Sequence, residues 1–587
     1  MVKHWKYPKD DDLVVTALRG LAASNPALTL IPSEKVVYNG KAASKVAIIS
    51  GGGSGHEPLH AGFVGDNLLD AAVAGTIFAS PSTKQIMAAV KATAEKEKGV
   101  IAVVKNYTGD VLHFGLVAER AKRDGYKVEL VAVSDDVAVG RTQNEMVGRR
   151  GIAGTAVVHK TLGAASASKN ATIEELAELG RSVNAALVTM GASLDRTTVP
   201  GREGGDEGET TGADTAELGL GIHNEPGEKL HPIPEATELV DLMYKRLLDK
   251  NDKERHYLDF DDNDDYVMLI NNIGGTSSLE LYALAHYAVS RVPLKKKPSR
   301  VYISDFVTSL SSPGFSITLF NLDKAGTNKY SKKDILEFLD APTNAPGWKP
   351  KIYSDKEWQQ PAEEVKESPV AHAEFPKSDV KIDGQQFAKN LQNAMKLLIS
   401  KEPEITKYDT QVGDGDCGET LKAGAEAILA AIDSDKQFED NLSDVVATVS
   451  AITEIVEDKM GGTSGGIYAI YLTSFAKNLK EEKAVNTQSV ASAMSKALYD
   501  GLFKYTKARK GGRTLVDTLQ PFVDTLVETG DVARSIEAAR KSCENTAKLQ
   551  AKFGRASYVN EEEFAGGVPD PGAVGLLAIL EGFTGTN

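Results

Sequence analysis

The sequence predicts a multidomain chain in which an α/β unit is followed by an all-α unit. Three observations point there: a length of 587 residues, the apolar patterning of residues 1–348, and the near loss of strand-like alternation from about residue 385 onward. So long a chain exceeds the roughly 100–150 residues of one typical domain, and more than one hydrophobic core is required.

In the first part, KVAIIS (45–50), GVIAVVKN (99–106), YKVELVAV (126–133), DYVMLINN (265–272), RVYISDF (300–306) and FSITLFN (315–321) are short apolar runs that read as buried strands. Between them lie stretches rich in Ala, Lys and Glu, such as KQIMAAVKATAEKEK (84–98). Strands alternating with helices imply an α/β unit with much parallel sheet. Residues 349–384 read as a linker, because Pro, Lys and Glu are frequent there and no apolar period can be counted. The domains are therefore 1–348 and 385–587. In the second, Leu442, Val445, Val446, Val449, Ile452 and Val456 keep helical spacing, with Ser443 placed to cap the start. The acidic stretches 203–217 and 259–265 read as solvated loops.

Charge narrows the function classes. With 67 Lys and Arg against 82 Asp and Glu, the net charge of -15 has the wrong sign for a main partner that is nucleic acid or an anionic membrane. A small-molecule site is expected instead. Cys417 and Cys543 are the only cysteines, too few for a disulfide framework or a Cys-rich zinc site. MVKHWKYPKDDDLVV lacks the apolar core of a secretion signal, and no run approaches the ~20 apolar residues that cross a bilayer. A cytoplasmic protein is expected.

Directly after KVAIIS comes Gly51-Gly52-Gly53-Ser54-Gly55-His56-Glu57-Pro58, a strand end where backbone can approach a ligand closely. It is neither a P-loop, since no GK[ST] follows, nor G-x-G-x-x-G, because His56 or Pro58 falls where the last Gly belongs. The next strand ends with Lys105 and Asp110 close by. Gly53, Ser54, Gly55, His56, Lys105 and Asp110 together supply donors and a general base for a polyhydroxylated ligand. Further on, His223 sits between glycines in LGLGIHNEPG (218–227), where on local grounds it reads as a structural histidine.

In the second unit, DTQVGDGDCGET (409–420) places Asp409, Asp414 and Asp416 within eight residues. Uncompensated carboxylates repel, and Mg²⁺ suits such a partial cage, with phosphate oxygens and water completing the shell. A calcium EF-hand fails in either register, since Asp414 stands where Gly is needed or Ala425 where Glu is needed. The loop opens a helix, whose free amide groups favour phosphate. MGGTSGG (460–466) joins two helices and can cover a phosphate tail. Its G-x-S-x-G does not make a hydrolase elbow, which needs a strand before it. FGRASY (553–558), with Arg555, and DPGA (570–573) are too weak to interpret unaided.

Taken together, GGGSGHEP, FASPSTKQI, VKNYTGD, LGLGIHNEPG, NAPGW, DTQVGDGDCG, MGGTSGG, KYTKARKG, FGRASY and DPGA resemble, in order, the single-chain ATP-dependent dihydroxyacetone kinases. The resemblance spans nearly the whole chain. It implies a substrate domain followed by a nucleotide domain built as a closed barrel of eight helices. It also implies that His223 bonds covalently to the ketone carbon as a hemiaminal, and that the triose is held by Gly53, Ser54, Gly55, His56, Lys105 and Asp110. Asp110 becomes the general base, with His56 beside it. Asp409, Asp414 and Asp416 become ligands of two Mg²⁺ ions, while Cys417, Gly418, Glu419, Thr420, Thr463, Ser464, Arg555, Asp570, Pro571 and Gly572 become ATP contacts. Bacterial relatives charged by phosphoenolpyruvate keep His where Cys417 stands, and the fused architecture here implies exchangeable ATP. Substrates on separate domains imply a homodimer in which one subunit's nucleotide domain serves its partner. Two rival activities follow from the same family: cleavage of FAD to cyclic FMN, as in animal relatives, and a ligand-sensing corepressor role, which has no need of metal carboxylates.

Overall fold

The computed structural model describes residues 4–586 apart from 9, 41–43, 143–145, 169–170, 202–210, 361–374, 380, 435 and 552–566. The chain divides into two compact units, Met1–Glu364 and Val365–Asn587. Among the described residues no helix is long and apolar enough to cross a membrane.

The first unit holds two six-stranded sheets. Strands β1 (Leu28–Ile31), β2 (Val36–Asn39), β3 (Ala47–Ser54), β4 (Ala71–Ile77), β5 (Val100–Lys105) and β6 (Val128–Val133) form the first, in the order β1-β2-β4-β3-β5-β6. Strands β7 (Leu187–Ser193), β8 (Ala216–Leu218), β9 (Glu228–Leu230), β10 (Tyr266–Asn272), β11 (Arg300–Ser304) and β12 (Gly314–Asn321) form the second, in the order β11-β10-β12-β7-β8-β9. In the first sheet β4, β3, β5 and β6 run parallel. Their continuous apolar sequence is buried on both faces, as a parallel sheet requires, and Ile48, Ile49, Val103 and Val104 are sealed from solvent.

The second sheet departs from the expected parallel arrangement: β10 and β11 pair parallel, and the remaining neighbours are antiparallel. The loop 305–313 after β11 carries no crossover helix, so β12 returns antiparallel along the other side of β10. That loop also ties the two sheets together. Leu310 N–H donates to the Gly55 carbonyl at 2.8 Å, and Thr308 Oγ1 donates to the Glu57 carbonyl at 2.8 Å. The C-terminal end of β3 is thereby fixed against the second sheet.

Three details differ from the sequence reading. Glu217, expected in a solvated loop, is buried in β8 with Arg196 Nη2 at 3.0 Å, while residues 202–210 of that acidic stretch lie outside the described residues. The helix expected at 84–98 forms as Thr83–Thr93, opened by a capping box of Ser82 and Gln85. Within the stretch read as a linker, Asp355–Gln359 is a short helix whose Trp358 packs edge-on against Tyr302 and whose Asp355 pairs with Arg300.

In the second unit eight longer helices, Gly384–Val412, Cys417–Ser434, Val445–Lys459, Gly462–Lys480, Thr487–Lys496, Val516–Thr529, Val532–Asn545 and Pro571–Thr584, each pack on the next, and the last returns to the first. This is the closed eight-helix barrel. Apolar faces turn inward around a cavity of about 450 Å³ lined by residues such as Leu391, Ile428, Val456, Leu472, Phe522 and Leu576. Asp444, not Ser443, caps Val445–Lys459: its Oδ1 accepts from the N–H groups of Val446 and Ala447, both at 3.1 Å. Ser443 lies one position too early for that bond.

Candidate active site

Ends of β3 and β5 carry the first group of predicted residues. β3 continues through Gly51, Gly52 and Gly53, and a Cβ at Gly53 would lie 2.7 Å from Ala79 N and 2.8 Å from Phe78 C, so only glycine lets these segments approach. Ser54 gives its hydroxyl proton to the Gly75 carbonyl at 2.8 Å. His56 is fully buried. Its Nδ1 faces the Thr308 carbonyl at 2.8 Å, and a carbonyl only accepts, so this nitrogen is the donor. Its Nε2 lies 3.0 Å from Nε2 of His223. Phe78 stacks on the His56 ring with centroids 5.3 Å apart, and Tyr107 meets the His223 ring edge-on at 4.7 Å.

Lys105 ends β5 and is buried, with Nζ 5.3 Å from the centroid of the Tyr107 ring. Burial pushes its ammonium down to about 8, opposed by the charges of Asp110, Glu225 and Glu57. Burial, aided by the charges of Lys105 and His223, holds His56 well below the ordinary imidazole range. Asp110 is buried in the first turn of the helix Thr108–Arg123, where the helix N-terminus favours a carboxylate. Its Oδ1 accepts from Ser80 Oγ at 2.5 Å.

Glu225, which the sequence reading did not single out, completes this site. Its Oε1 lies 3.1 Å from Nδ1 of His223, and its Oε2 accepts from the His223 backbone N–H at 2.9 Å. Burial raises the carboxyl, but the hydrogen bond and charge of His223, with the charge of Arg150, outweigh it and bring Glu225 down to about 2. A carboxylate two positions after a histidine was the available signal.

The second unit gathers the acidic trio. Asp409 is buried near the end of Gly384–Val412, Asp414 and Asp416 are exposed, and ligand oxygens of all three lie within 4.8 Å of one another. Three carboxylates this close repel, and an all-oxygen set with an open outer side fits Mg²⁺. Asp409 Oδ2 also accepts from the Cys417 N–H at 3.0 Å, joining the trio to the helix that Cys417, Gly418, Glu419 and Thr420 open. The Cys417 thiol is pushed up to about 12 by burial, reinforced by Asp409 and Asp570 and offset by a hydrogen bond with Ser464.

Thr463 and Ser464 belong to the first turn of Gly462–Lys480. Asp570 caps Pro571–Thr584, accepting from Ala573 N–H at 2.8 Å, with Pro571 and Gly572 in the first turn. Ser464 hydrogen-bonds the Cys417 thiol, and the charge of Asp409 acts on Asp570, so the starts of three helices lie near one another, each with a positive dipole end. Arg555 lies outside the described residues. Arg513, missed in the sequence, is buried here and its charge acts on Asp570.

The chain is similar to known proteins along its whole length. The Dak1 domain model matches residues 19–347 and the DAK2 domain model residues 411–585. The chain is 49% identical to the dihydroxyacetone kinase of Pichia angusta, over 99% of this chain and 98% of that one. It is 34% identical to the triokinase/FMN cyclase of Mus musculus, over 96% of this chain and 95% of that one. The crystal structure of the dihydroxyacetone kinase from C. freundii in complex with AMP-PNP and Mg²⁺ matches with a TM-score of 0.67 at 27% identity, covering 100% of each chain. With both domain models matched in order and the likeness running end to end, the chain belongs to the dihydroxyacetone kinase family.

Proposed function

We propose that this protein transfers the γ-phosphoryl group of MgATP to dihydroxyacetone, held as a hemiaminal on His223, and that D-glyceraldehyde is a second substrate. The observation that carries the reading is the trio Asp409, Asp414 and Asp416 at three helix N-termini, since a ketone-binding regulator has no use for such a site. Relatives named dihydroxyacetone kinase, and one in complex with AMP-PNP and Mg²⁺, support it.

His223 is suited to add to a carbonyl, because an imidazole nitrogen becomes a nucleophile once a neighbouring base takes its proton, and His56 Nε2 stands 3.0 Å from its Nε2. The new hydroxyl and those already on the triose face Gly53, Gly55, His56 and Lys105. Asp110 accepts the proton of the hydroxyl that attacks phosphorus, and Ser80 fixes one of its oxygens so that the other is available. Asp409, Asp414 and Asp416 would hold Mg²⁺, whose positive charge would offset the charge that develops during phosphoryl transfer. Amide groups of the helices opened by Cys417, Gly462 and Pro571 receive the phosphate tail, with Thr463, Ser464 and the residues Gly418 to Thr420 around it. The active species is a homodimer, which sedimentation of the working enzyme tests.

A coupled assay with dihydroxyacetone and MgATP tests the activity. Turnover that vanishes on chelating the metal supports it; no ADP formed with either triose overturns it. Because one relative is a triokinase/FMN cyclase, FAD with Mn²⁺ should be assayed beside it, and cyclic FMN would identify a second reaction of the same acidic site.

A further inference from the structure

We infer that Glu225 is a positioning residue: it holds His223 in the orientation and protonation pattern that adduct formation requires, and supplies the counter-charge for one extra proton shared by the two histidines. This deepens, and rests on, the reading of His223 as the ketone-binding nucleophile.

The argument is a proton count. Thr308 O, His56, His223 and Glu225 form one chain of three contacts, at 2.8, 3.0 and 3.1 Å. Both ends of the chain, a carbonyl and a carboxylate, can only accept. Each contact needs one proton, and two neutral imidazoles bring two. With Nδ1 of His56 donating to Thr308 and Nδ1 of His223 donating to Glu225, two lone pairs would face each other across 3.0 Å. A third proton between the Nε2 atoms removes that repulsion and makes the pair a monocation. Glu225 is the carboxylate in contact with it. Burial and the charge of Lys105 favour neutral His56, so the counter-charge for the extra proton is needed on the side of the pair that Glu225 touches at 3.1 Å.

The chain is built, not incidental. Arg150 bonds Asp136 at 2.7 Å and the Gly219 carbonyl at 3.0 Å, and its Nη1 lies 3.9 Å from Glu225 Oε2. Gly221 leaves the room: a methyl group there would overlap both the Glu225 carboxylate and the Arg150 guanidinium. Besides these, Lys105 and His60 interact with His56 and Tyr107 packs on His223, while Asp110 and Glu57 act in turn on Lys105, and Asp135 and Asp136 on Tyr107.

The step balances. His56 Nε2 takes the proton from Nε2 of His223, and the freed lone pair forms the N–C bond as the carbonyl π pair moves to oxygen. His56 then delivers the same proton to that oxygen. The product is a hydroxyl and an N-substituted His223 imidazolium, still donating from Nδ1 to Glu225. One positive charge stands against Glu225 before and after.

The test compares Glu225→Gln, Glu225→Asp and His223→Ala with the parent enzyme in steady-state kinetics from pH 5.5 to 9. Glu225→Gln keeps an acceptor for Nδ1 but loses the charge. It should raise KM for dihydroxyacetone about tenfold to a hundredfold, the range for losing a hydrogen bond to a charged group, with KM for ATP unchanged. The alkaline limb of kcat/KM for the ketone should move to lower pH, because the shared proton is held less tightly. Glu225→Asp should recover part of both effects, and it carries the test if the Gln variant fails to fold. A raised KM with an unmoved limb assigns Glu225 a purely structural role and overturns the inference, as does an unchanged KM. If His223→Ala itself retains parental kcat/KM, the nucleophile reading falls and takes the inference with it; if only His223→Ala is impaired, the inference alone falls.

Discussion

Ser80 Oγ donates to Oδ1 of Asp110 at 2.5 Å, while Oδ2 of the same carboxylate turns toward Gly52, 3.5 Å from where a Cβ on that residue would stand. One oxygen is anchored and the other is presented where the strand has no side chain. Asp110→Asn keeps the acceptor for Ser80 and removes the base. It should lower kcat about 10²–10⁴-fold, with the ketone adduct still visible by intact-protein mass spectrometry. Turnover near the parental rate would assign proton abstraction to another group.

Asp414 would bear on a bound metal differently from Asp409. Asp409 is buried and also holds the Cys417 N–H, so replacing it disturbs the helix start as well as the cation. Asp414 is exposed, and Asp414→Asn removes charge with little effect on folding. Binding of MgATP, measured by calorimetry, should weaken by at least the tenfold to hundredfold, about the loss seen when partners of metal ligands are removed. The ketone adduct should be unaffected. Undiminished nucleotide affinity would take Asp414 out of the metal site.

Asp570 predicts a pH-dependent stability of the barrel. Its carboxyl is enclosed, although the residue as a whole is only partly buried, and burial is the main cause that raises it from 3.8 to about 7; Asp517 and Asp409 add to the rise, while Ala573 N–H and Arg513 oppose it. A carboxyl raised on folding binds its proton more tightly in the native state. It therefore contributes stability that is fully present below the unfolded value and is lost as pH climbs toward about 7. Asp570→Asn keeps an oxygen to cap Ala573 and has no such dependence. In chelator and without nucleotide, the variant should gain on the parent as pH rises from 4 to 7, by up to about 1.4 kcal/mol per pH unit. Parallel denaturation curves at every pH would contradict it.

How far the sequence could be read depended on the kind of signal. β-branched apolar runs such as KVAIIS and FSITLFN announce strands because burial on both faces needs nothing else. AAVAGTI and LVTMGAS also form buried strands, but small residues and Thr carry too little hydrophobic contrast to stand out. Direction was less legible than existence: β12 is antiparallel because of a short loop, a property of connection rather than composition. In the site, His56 and His223 stand 167 positions apart, and no local pattern pairs them; family likeness supplied the link and the fold supplied 3.0 Å. Glu225 was overlooked because a single carboxylate in a turn is ordinary until its oxygen is found against a ring nitrogen. Asp409, Asp414 and Asp416 were readable because their repulsion is written in eight consecutive positions.

The proposed covalent tether on His223 predicts selectivity among small polyols. A pocket that only hydrogen-bonds hydroxyls would accept glycerol nearly as well as dihydroxyacetone, since the two differ by two hydrogens and have almost the same shape. A site that must form a bond from Nε2 of His223 to a carbonyl carbon rejects glycerol outright, because there is no electrophile to attack. Dihydroxyacetone and D-glyceraldehyde should both be phosphorylated, and glycerol should be slower by about 10³-fold or more in kcat/KM. His223→Ala should erase most of that gap by lowering the rates of the carbonyl substrates toward the rate of glycerol, leaving ATP binding intact. Glycerol turnover comparable to dihydroxyacetone in the parent enzyme, or a full carbonyl preference surviving in His223→Ala, would mean that shape and hydrogen bonding, not the covalent tether, choose the substrate.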